Sequence, residues 1–262
     1  MCECQKRIGE ERVMKIAIVA VAGVSSRFNE GMEDAVLKCI YATQDARKTL
    51  LYAILKKCVG YDSVVLVGGY QYEALEAYVR AYEQEFPFAI HLVYNAYYQN
   101  YGTGYTLKVG LDACREFHDC EEITLIEGDL FFDEASFSNI KKANRSVATY
   151  NYAPISSRKA VIAYVNEAEK LKYVFSTSHG SVKIAESFFA IYNSGQVWKF
   201  ADMLKLENAY REITAEDWKG TNLILIEKYF EKLSLEEYEL LPFAQWENCN
   251  TREDLKEYED LL

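Results

Sequence analysis

Three stretches of this sequence run almost wholly apolar and stop at glycine: Ile16-Ala17-Ile18-Val19-Ala20-Val21 before Ala22-Gly23, Ser63-Val64-Val65-Leu66-Val67 before Gly68-Gly69, and Ile123-Thr124-Leu125-Ile126 before Glu127-Gly128-Asp129. A strand with one wet face alternates apolar and polar residues, so runs without alternation are covered on both faces, as in a parallel sheet lying between helices. Between them, apolar spacing predicts helices over 49–59, 73–86 and 106–116 and a further strand over 89–94. The alternation of strand and helix predicts an α/β fold of three layers with a mostly parallel, mixed sheet in the middle. After Asp129 the pattern turns: 146–152, 160–166, 172–176 and 187–192 read as strands with little helix between them, which predicts a mixed or antiparallel half. Helices resume over 194–206, 221–232 and 252–262, with Ser194 and Thr251 as N-caps. Residues 1–13 lack periodicity and read as an N-terminal tail, and 14–262 read as a single domain.

Composition removes several functional classes. The 262 residues, half of them apolar, suffice for a large core. No apolar run reaches the eighteen residues of a spanning helix, so no membrane span is expected and the chain is expected to be cytoplasmic. Forty acidic side chains against 29 basic give a net charge of −11, and no basic patch is visible to attract a polynucleotide. The seven cysteines are odd in number and scattered, the pattern of reduced thiols, and Cys2-Glu3-Cys4 has no second Cys or His pair at zinc-site spacing. His91, His118 and His179 are isolated, so no Ser-His-Asp or Cys-His arrangement is recognisable.

Ligands of open α/β sheets bind beyond the carboxyl ends of the strands. Two features fall there. The loop Gly23-Val24-Ser25-Ser26-Arg27 can present backbone N–H groups to phosphate oxygens, with Arg27 adding a forked cation. Asp129 ends the third strand, where a carboxylate is placed to hold Mg²⁺. Lys38 and Lys48 lie in the segment that follows the loop. Each residue also has a plainer reading: the loop as a turn, Asp129 as a helix cap, the lysines as solvated surface. Neither GxxxxGK[ST] nor GxGxxG is present, which argues against a P-loop ATPase and a dehydrogenase.

At this point the sequence resembles the nucleotidyltransferase family of the GT-A-like, Rossmann-type α/β fold, whose opening is Leu-Ala-Ala-Gly, a small loop and Arg, followed by Pro-Lys. This chain has Ala20-Val21-Ala22-Gly23-Val24-Ser25-Ser26-Arg27 and then Leu37-Lys38, so the spacing fits while Leu and Pro are replaced. The likeness continues through Lys48-Thr49-Leu50-Leu51, through Val64-Val65-Leu66-Val67-Gly68-Gly69-Tyr70, and through Asn250-Thr251-Arg252-Glu253-Asp254-Leu255 near the end. Tyr94-Asn95-Ala96-Tyr97-Tyr98-Gln99-Asn100-Tyr101 looks most like the corresponding segment of bacterial phosphocholine cytidylyltransferases.

The resemblance implies a nucleotide-binding half over about 14–135 and an acceptor-binding half over about 136–262. It implies Mg²⁺ held by Asp129 and Asn250, triphosphate held by Ala22, Gly23, Ser25 and Ser26, the base near Gly102 and Thr103, and Arg27 and Lys38 as catalytic cations. The co-substrate it implies is CTP, and the acceptor is a small phosphorylated molecule (phosphocholine, a phosphonate or a polyol phosphate). Alternatives stay open: a sugar-1-phosphate nucleotidyltransferase using UTP, GTP or dTTP, or a nucleotide-binding module without turnover. For a choline head, Tyr150, Tyr152, Tyr164, Tyr173, Tyr192 and Trp218 are candidate aromatic walls, and Arg145, Arg158 and Lys159 candidate phosphate contacts. A homo-oligomer is compatible with the sequence.

Overall fold

A computed structural model describes residues 14–156, 160–175 and 181–262. The expected tail, Cys2, Cys4, Arg158, Lys159 and His179 lie outside the described residues. In chain order the elements are β1 (Met14–Ala20), α1 (Leu50–Lys57), β2 (Ser63–Gly68), α2 (Tyr72–Tyr82), β3 (Ala89–Tyr94), α3 (Thr103–Cys114), β4 (Cys120–Glu127), β5 (Leu130–Phe132) and α4 (Glu134–Lys142). There follow β6 (Ser146–Asn151), β7 (Ile162–Asn166), β8 (Leu171–Tyr173), β9 (Phe188–Phe200), α5 (Met203–Arg211), α6 (Leu223–Glu231), β10 (Tyr238–Phe243), β11 (Trp246–Asn248) and α7 (Arg252–Lys256).

The central sheet runs β10-β6-β9-β4-β1-β2-β3, with β7 and β8 continuing from β9. Pairs β1/β2, β1/β4, β2/β3 and β6/β10 are parallel, and β9 is antiparallel to both β4 and β6. This is the mostly parallel mixed sheet of the sequence reading. The β1 run does not alternate because both faces are dry. Ile16 and Ile18 pack with Leu107, Leu111, Leu206 and Ile226 on one face, while Ala17 and Val19 pack with Leu51, Ile54, Leu75 and Phe137 on the other. Each large aliphatic side chain buried in this way contributes about 1.5–3 kcal/mol.

The second half departs from the sequence reading at one place that matters for the site. Residues 194–206 were expected to be helical from an N-cap at Ser194. Instead Ser194 to Phe200 continue strand β9, and the helix that follows is α5, capped by Asp202 accepting from the Lys205 N–H at 2.9 Å. The strand is disguised by a bulge. Ala148 pairs with Trp198 and Tyr150 with Ser194, so residues 195–197 of β9 stand opposite Thr149 alone. The Thr149 hydroxyl closes the gap, donating to the Val197 carbonyl at 2.7 Å and accepting from its N–H at 3.2 Å. A bulge breaks the two-residue period that identifies a strand.

Candidate functional site

The carboxyl ends of β1 and β4 open into a cleft. One part of about 150 Å³ is bounded by Ala22, Gly23, Ser25, Lys38, Thr103, Glu127 and Asp129. A second part of about 340 Å³ shares Thr103, Glu127 and Asp129 with it and adds Arg27, Gln196, Asn222, Asn248 and Asn250. The two parts share a border because β1 and β4 are neighbours. Gly128 lets the chains after them close up, since a β-carbon there would stand 2.2 Å from Val21 Cγ1 and 2.7 Å from the Ala20 carbonyl oxygen.

The loop after β1 is shaped by its own residues. Ser25 takes a left-handed conformation (φ 54°), and Asn29 staples the loop from within. The Asn29 amide donates to the Ser25 carbonyl at 3.1 Å and the Val36 carbonyl at 2.9 Å, and it accepts from the Val36 N–H at 3.0 Å. No described residue accepts a hydrogen bond from the backbone N–H groups of Gly23 to Arg27. Consecutive free amides around a left-handed residue form a concavity that favours anions. Arg27 and Ser26 are exposed, and Arg27 borders the cleft. Beneath the loop, Phe28 is buried against Tyr41 with ring centroids 5.3 Å apart. The Arg252 guanidinium of α7 lies 5.4 Å from the Phe28 ring and 4.6 Å from the Tyr41 ring, and it donates to the Tyr41 hydroxyl at 3.2 Å. The loop is thereby clamped to the last helix.

Lys38 points to the same place: its ammonium lies 2.8 Å from Asp129 Oδ2, with the two side chains 12% and 26% exposed. Asp129 is further tied to the late segment, its carbonyl accepting from the Cys249 N–H at 2.9 Å. The short antiparallel pair β5/β11, in register Leu130 to Asn248, brings that segment alongside. Asn250 follows, its N–H accepted by Asp254 at 3.0 Å, and Thr251 caps α7 in a capping box with Asp254. Arg27, Lys38, Asp129 and Asn250 thus border one cleft. Lys48 is exposed and borders neither part of it.

Thr103 also borders the cleft, but Gly102 does not. A β-carbon on Gly102 would stand 2.3 Å from the Gly220 carbonyl oxygen, and the Gly102 N–H donates to the Lys219 carbonyl at 2.7 Å. The close backbone approach that glycine permits here is therefore to the segment before α6. That contact seats Asn222, which had no signal in the sequence. Asn222 accepts from the Thr103 hydroxyl at 3.2 Å and donates to Glu127 Oε1 at 2.5 Å. Burial, and then the adjacent Asp129 carboxylate, push the Glu127 carboxyl up to about 8 from an ordinary 4.5, against the opposing effects of the Asn222 bond and the Lys38 charge.

Other expectations fall elsewhere. Tyr173 and Trp218 are core residues, and the Tyr150 ring packs against those of Tyr152 and Tyr192. None of the six aromatic candidates borders the part of the cleft that holds Asp129 and Asn250. Arg145 precedes β6, which runs parallel to β4, so it lies at the opposite edge of the sheet. His91, in β3, packs edge-on against Phe117, which follows α3.

Among the described residues, no group of three or more His, Cys, Asp or Glu stands together to hold a metal ion. Mg²⁺ asks for less, taking one or two carboxylates and completing its shell with water and substrate phosphates. The Asp129 carboxylate with the Asn250 amide oxygen on the same cleft is a donor set of that kind, all oxygen.

The three-layer sheet and its cleft define a chain with the α/β fold of nucleotidyltransferases. Among solved structures the fold is similar to the inositol-1-phosphate CTP transferase of T. maritima, with a TM-score of 0.66 and 15% identity over 95% of each chain. It is similar to the CTP:phosphocholine cytidylyltransferase LicC of Streptococcus pneumoniae, with a TM-score of 0.62 and 15% identity over 95% of this chain and 99% of that one. A protein from Bacillus anthracis described as a glucose-1-phosphate thymidylyltransferase has a TM-score of 0.66 and 15% identity over 95% of each chain. By sequence the chain belongs to the family defined by the domain of unknown function DUF6564, which matches residues 34–262. No curated protein matches the sequence. No helix among the described residues is long and apolar enough to cross a membrane.

Proposed function

We propose that this chain is a nucleotidyltransferase that moves CMP from CTP onto the phosphate of a small phosphorylated acceptor and releases pyrophosphate. The observation that carries the reading is the meeting of Arg27, Lys38, Asp129 and Asn250, from distant parts of the sequence, on one cleft beneath a loop of free amides. Two of the three similar structures are described as acting with CTP, which supports that co-substrate.

In the proposed reaction an acceptor phosphate oxygen bonds to the α-phosphorus while the bond from that phosphorus to the bridging β-phosphate oxygen breaks. The electron pair leaves with pyrophosphate, and no bond to the enzyme forms. The difficulty is bringing two anions together. Arg27 and Lys38 offset that repulsion, and the amides of Gly23 to Arg27 orient the departing phosphates. Lys38 is held in place before substrate arrives by its ion pair with Asp129. Removing one such preplaced charge or donor typically costs about 10²- to 10³-fold in rate. Mg²⁺ on Asp129 and Asn250 would supply further charge stabilisation at the triphosphate. Thr103, placed through Asn222, faces the region assigned to the nucleotide.

The test is incubation with CTP, Mg²⁺ and a panel of phosphorylated acceptors, with pyrophosphate release as readout. Silence with all of CTP, UTP, GTP and dTTP overturns the proposal. The likeness to a thymidylyltransferase favours one second reading, a sugar-1-phosphate nucleotidyltransferase, and ranking the four triphosphates by thermal shift separates the two. A binding module without turnover is established instead if nucleotide binds and Asp129→Ala leaves every measured rate unchanged.

A further inference from the structure

Two amide side chains on the cleft have unfinished hydrogen bonding. Gln196 and Asn248 border the same space as Arg27, Asp129 and Asn250. Gln196 is 7% exposed and sits in the β9 bulge with a left-handed backbone, φ 55°. That conformation is enforced from three sides. Thr149 holds the neighbouring Val197, and the Trp246 indole donates to the Gly195 carbonyl at 2.8 Å. A β-carbon on Gly195 would stand 2.6 Å from Thr149 Oγ1, so only glycine lets the bulge close. A left-handed glutamine is an expense that a plain strand avoids, and such strain gathers at ligand sites.

The two amides meet each other poorly. Asn248 Nδ2 donates to Gln196 Oε1 at 3.5 Å, the outer limit of a hydrogen bond. Gln196 Nε2 and Asn248 Oδ1 are buried and find no partner among the described residues. Turning both amides over changes which residue offers which group, yet one N–H donor and one carbonyl acceptor remain over. Buried polar groups are otherwise almost always paired, so a leftover donor beside a leftover acceptor points to a group that both accepts and donates. A hydroxyl does both; a quaternary ammonium does neither. The lining agrees: this part of the cleft carries Gln196, Asn222, Asn248 and Asn250, while Trp198 is its one aromatic residue among those described.

Resting on the proposed nucleotidyl transfer, we infer that Gln196 and Asn248 read a hydroxyl group of the acceptor, which makes the acceptor a hydroxyl-bearing phosphate ester, a polyol or sugar phosphate, and disfavours phosphocholine. The pair sets acceptor specificity and takes no part in bond making.

The test compares inositol 1-phosphate, glucose 1-phosphate and glycerol 3-phosphate with phosphocholine and phosphoethanolamine, using CTP and Mg²⁺. The expected result is preference for a hydroxylated acceptor and, in Gln196→Met and Asn248→Leu separately, a KM for it raised about 10- to 100-fold, the loss of a buried hydrogen bond. Thermal shift with CTP stays as in the parent, which separates a specificity role from misfolding. Phosphocholine as the best acceptor, or variants with unchanged acceptor preference, overturns the inference. Saturation-transfer NMR of the same acceptors in the presence of CTP separates it from the activity. Hydroxylated esters that bind in a Gln196-dependent way without turnover support the inference and sink the catalytic reading; no such binding sinks the inference itself.

Discussion

Lys38 and Asp129 are each other's nearest charge, so a substitution at either one changes both the cleft's chemistry and its charge balance. Asp129→Asn keeps the shape and removes the anion. If the proposed transfer is correct, pyrophosphate release falls by at least about 10²-fold while circular dichroism is unchanged; equal rates would remove Asp129 from the site. Gly102→Ala is a structural probe of the same region. Its β-carbon meets the Gly220 carbonyl at 2.3 Å, so we expect a loss of about 1–3 kcal/mol by denaturant unfolding, the usual range for overpacking. At this scale the sequence was readable where a residue lies in the segment that leaves a buried strand, which is where Gly23, Arg27 and Asp129 border the cleft. Asn222 was not readable, because its role depends on Glu127 and Thr103, which are 95 and 119 positions away in sequence. Gln196 and Asn248 were hidden for the same reason: an amide on a strand says nothing until its partners are known.

Elements were legible where they are long enough for an apolar run or period to show. Strands β1, β2 and β3 and helix α1 are close to where apolar runs and apolar spacing placed them, and Thr49 proves to be the cap of α1. Missed were β5, α4, β10 and β11. Two of these are three-residue strands, and β10 lies at the sheet edge, where Pro242 is tolerated and the run Tyr238–Phe243 is only half buried. The helix expected over 194–206 fails for a different reason, the bulge that gives Ser194-Gly195-Gln196-Val197 no period of two. The packing of α6 on β8 carries a pH signature. Burial raises the Glu227 carboxyl above its ordinary 4.5, outweighing the Tyr173 N–H that it accepts at 2.6 Å and the nearby Lys172. A raised carboxyl favours the folded state most below 4.5, and that stability is lost as pH rises through the folded-state value. Glu227→Gln removes the titration, so thermal melts of variant and parent should diverge in the variant's favour as pH rises above 4.5. Parallel melting curves would contradict that assignment.

Across the whole molecule the cleft is assembled from segments that begin at Ala20 and end at Asn250. A ligand bound there joins β1, β4 and the late segment, and binding to the folded state alone stabilises by mass action. At a hundredfold excess over Kd the gain is about 2.7 kcal/mol. The melting temperature should therefore rise with CTP and Mg²⁺ together by more than with either alone, and Asp129→Ala should abolish the difference; an increment that survives the substitution places the metal elsewhere.

The clamp of Arg252 on Phe28 and Tyr41 links the loop after the first strand to the last helix. The fastener, Arg252, stands 211 positions after Tyr41 in the sequence. The loop after β1 thus depends for its closed shape on contacts from a helix distant from it in sequence. A chain stopped after residue 247 should accordingly be cut by trypsin at Arg27 far faster than the full chain, and equal cutting would show that the loop holds its shape unaided.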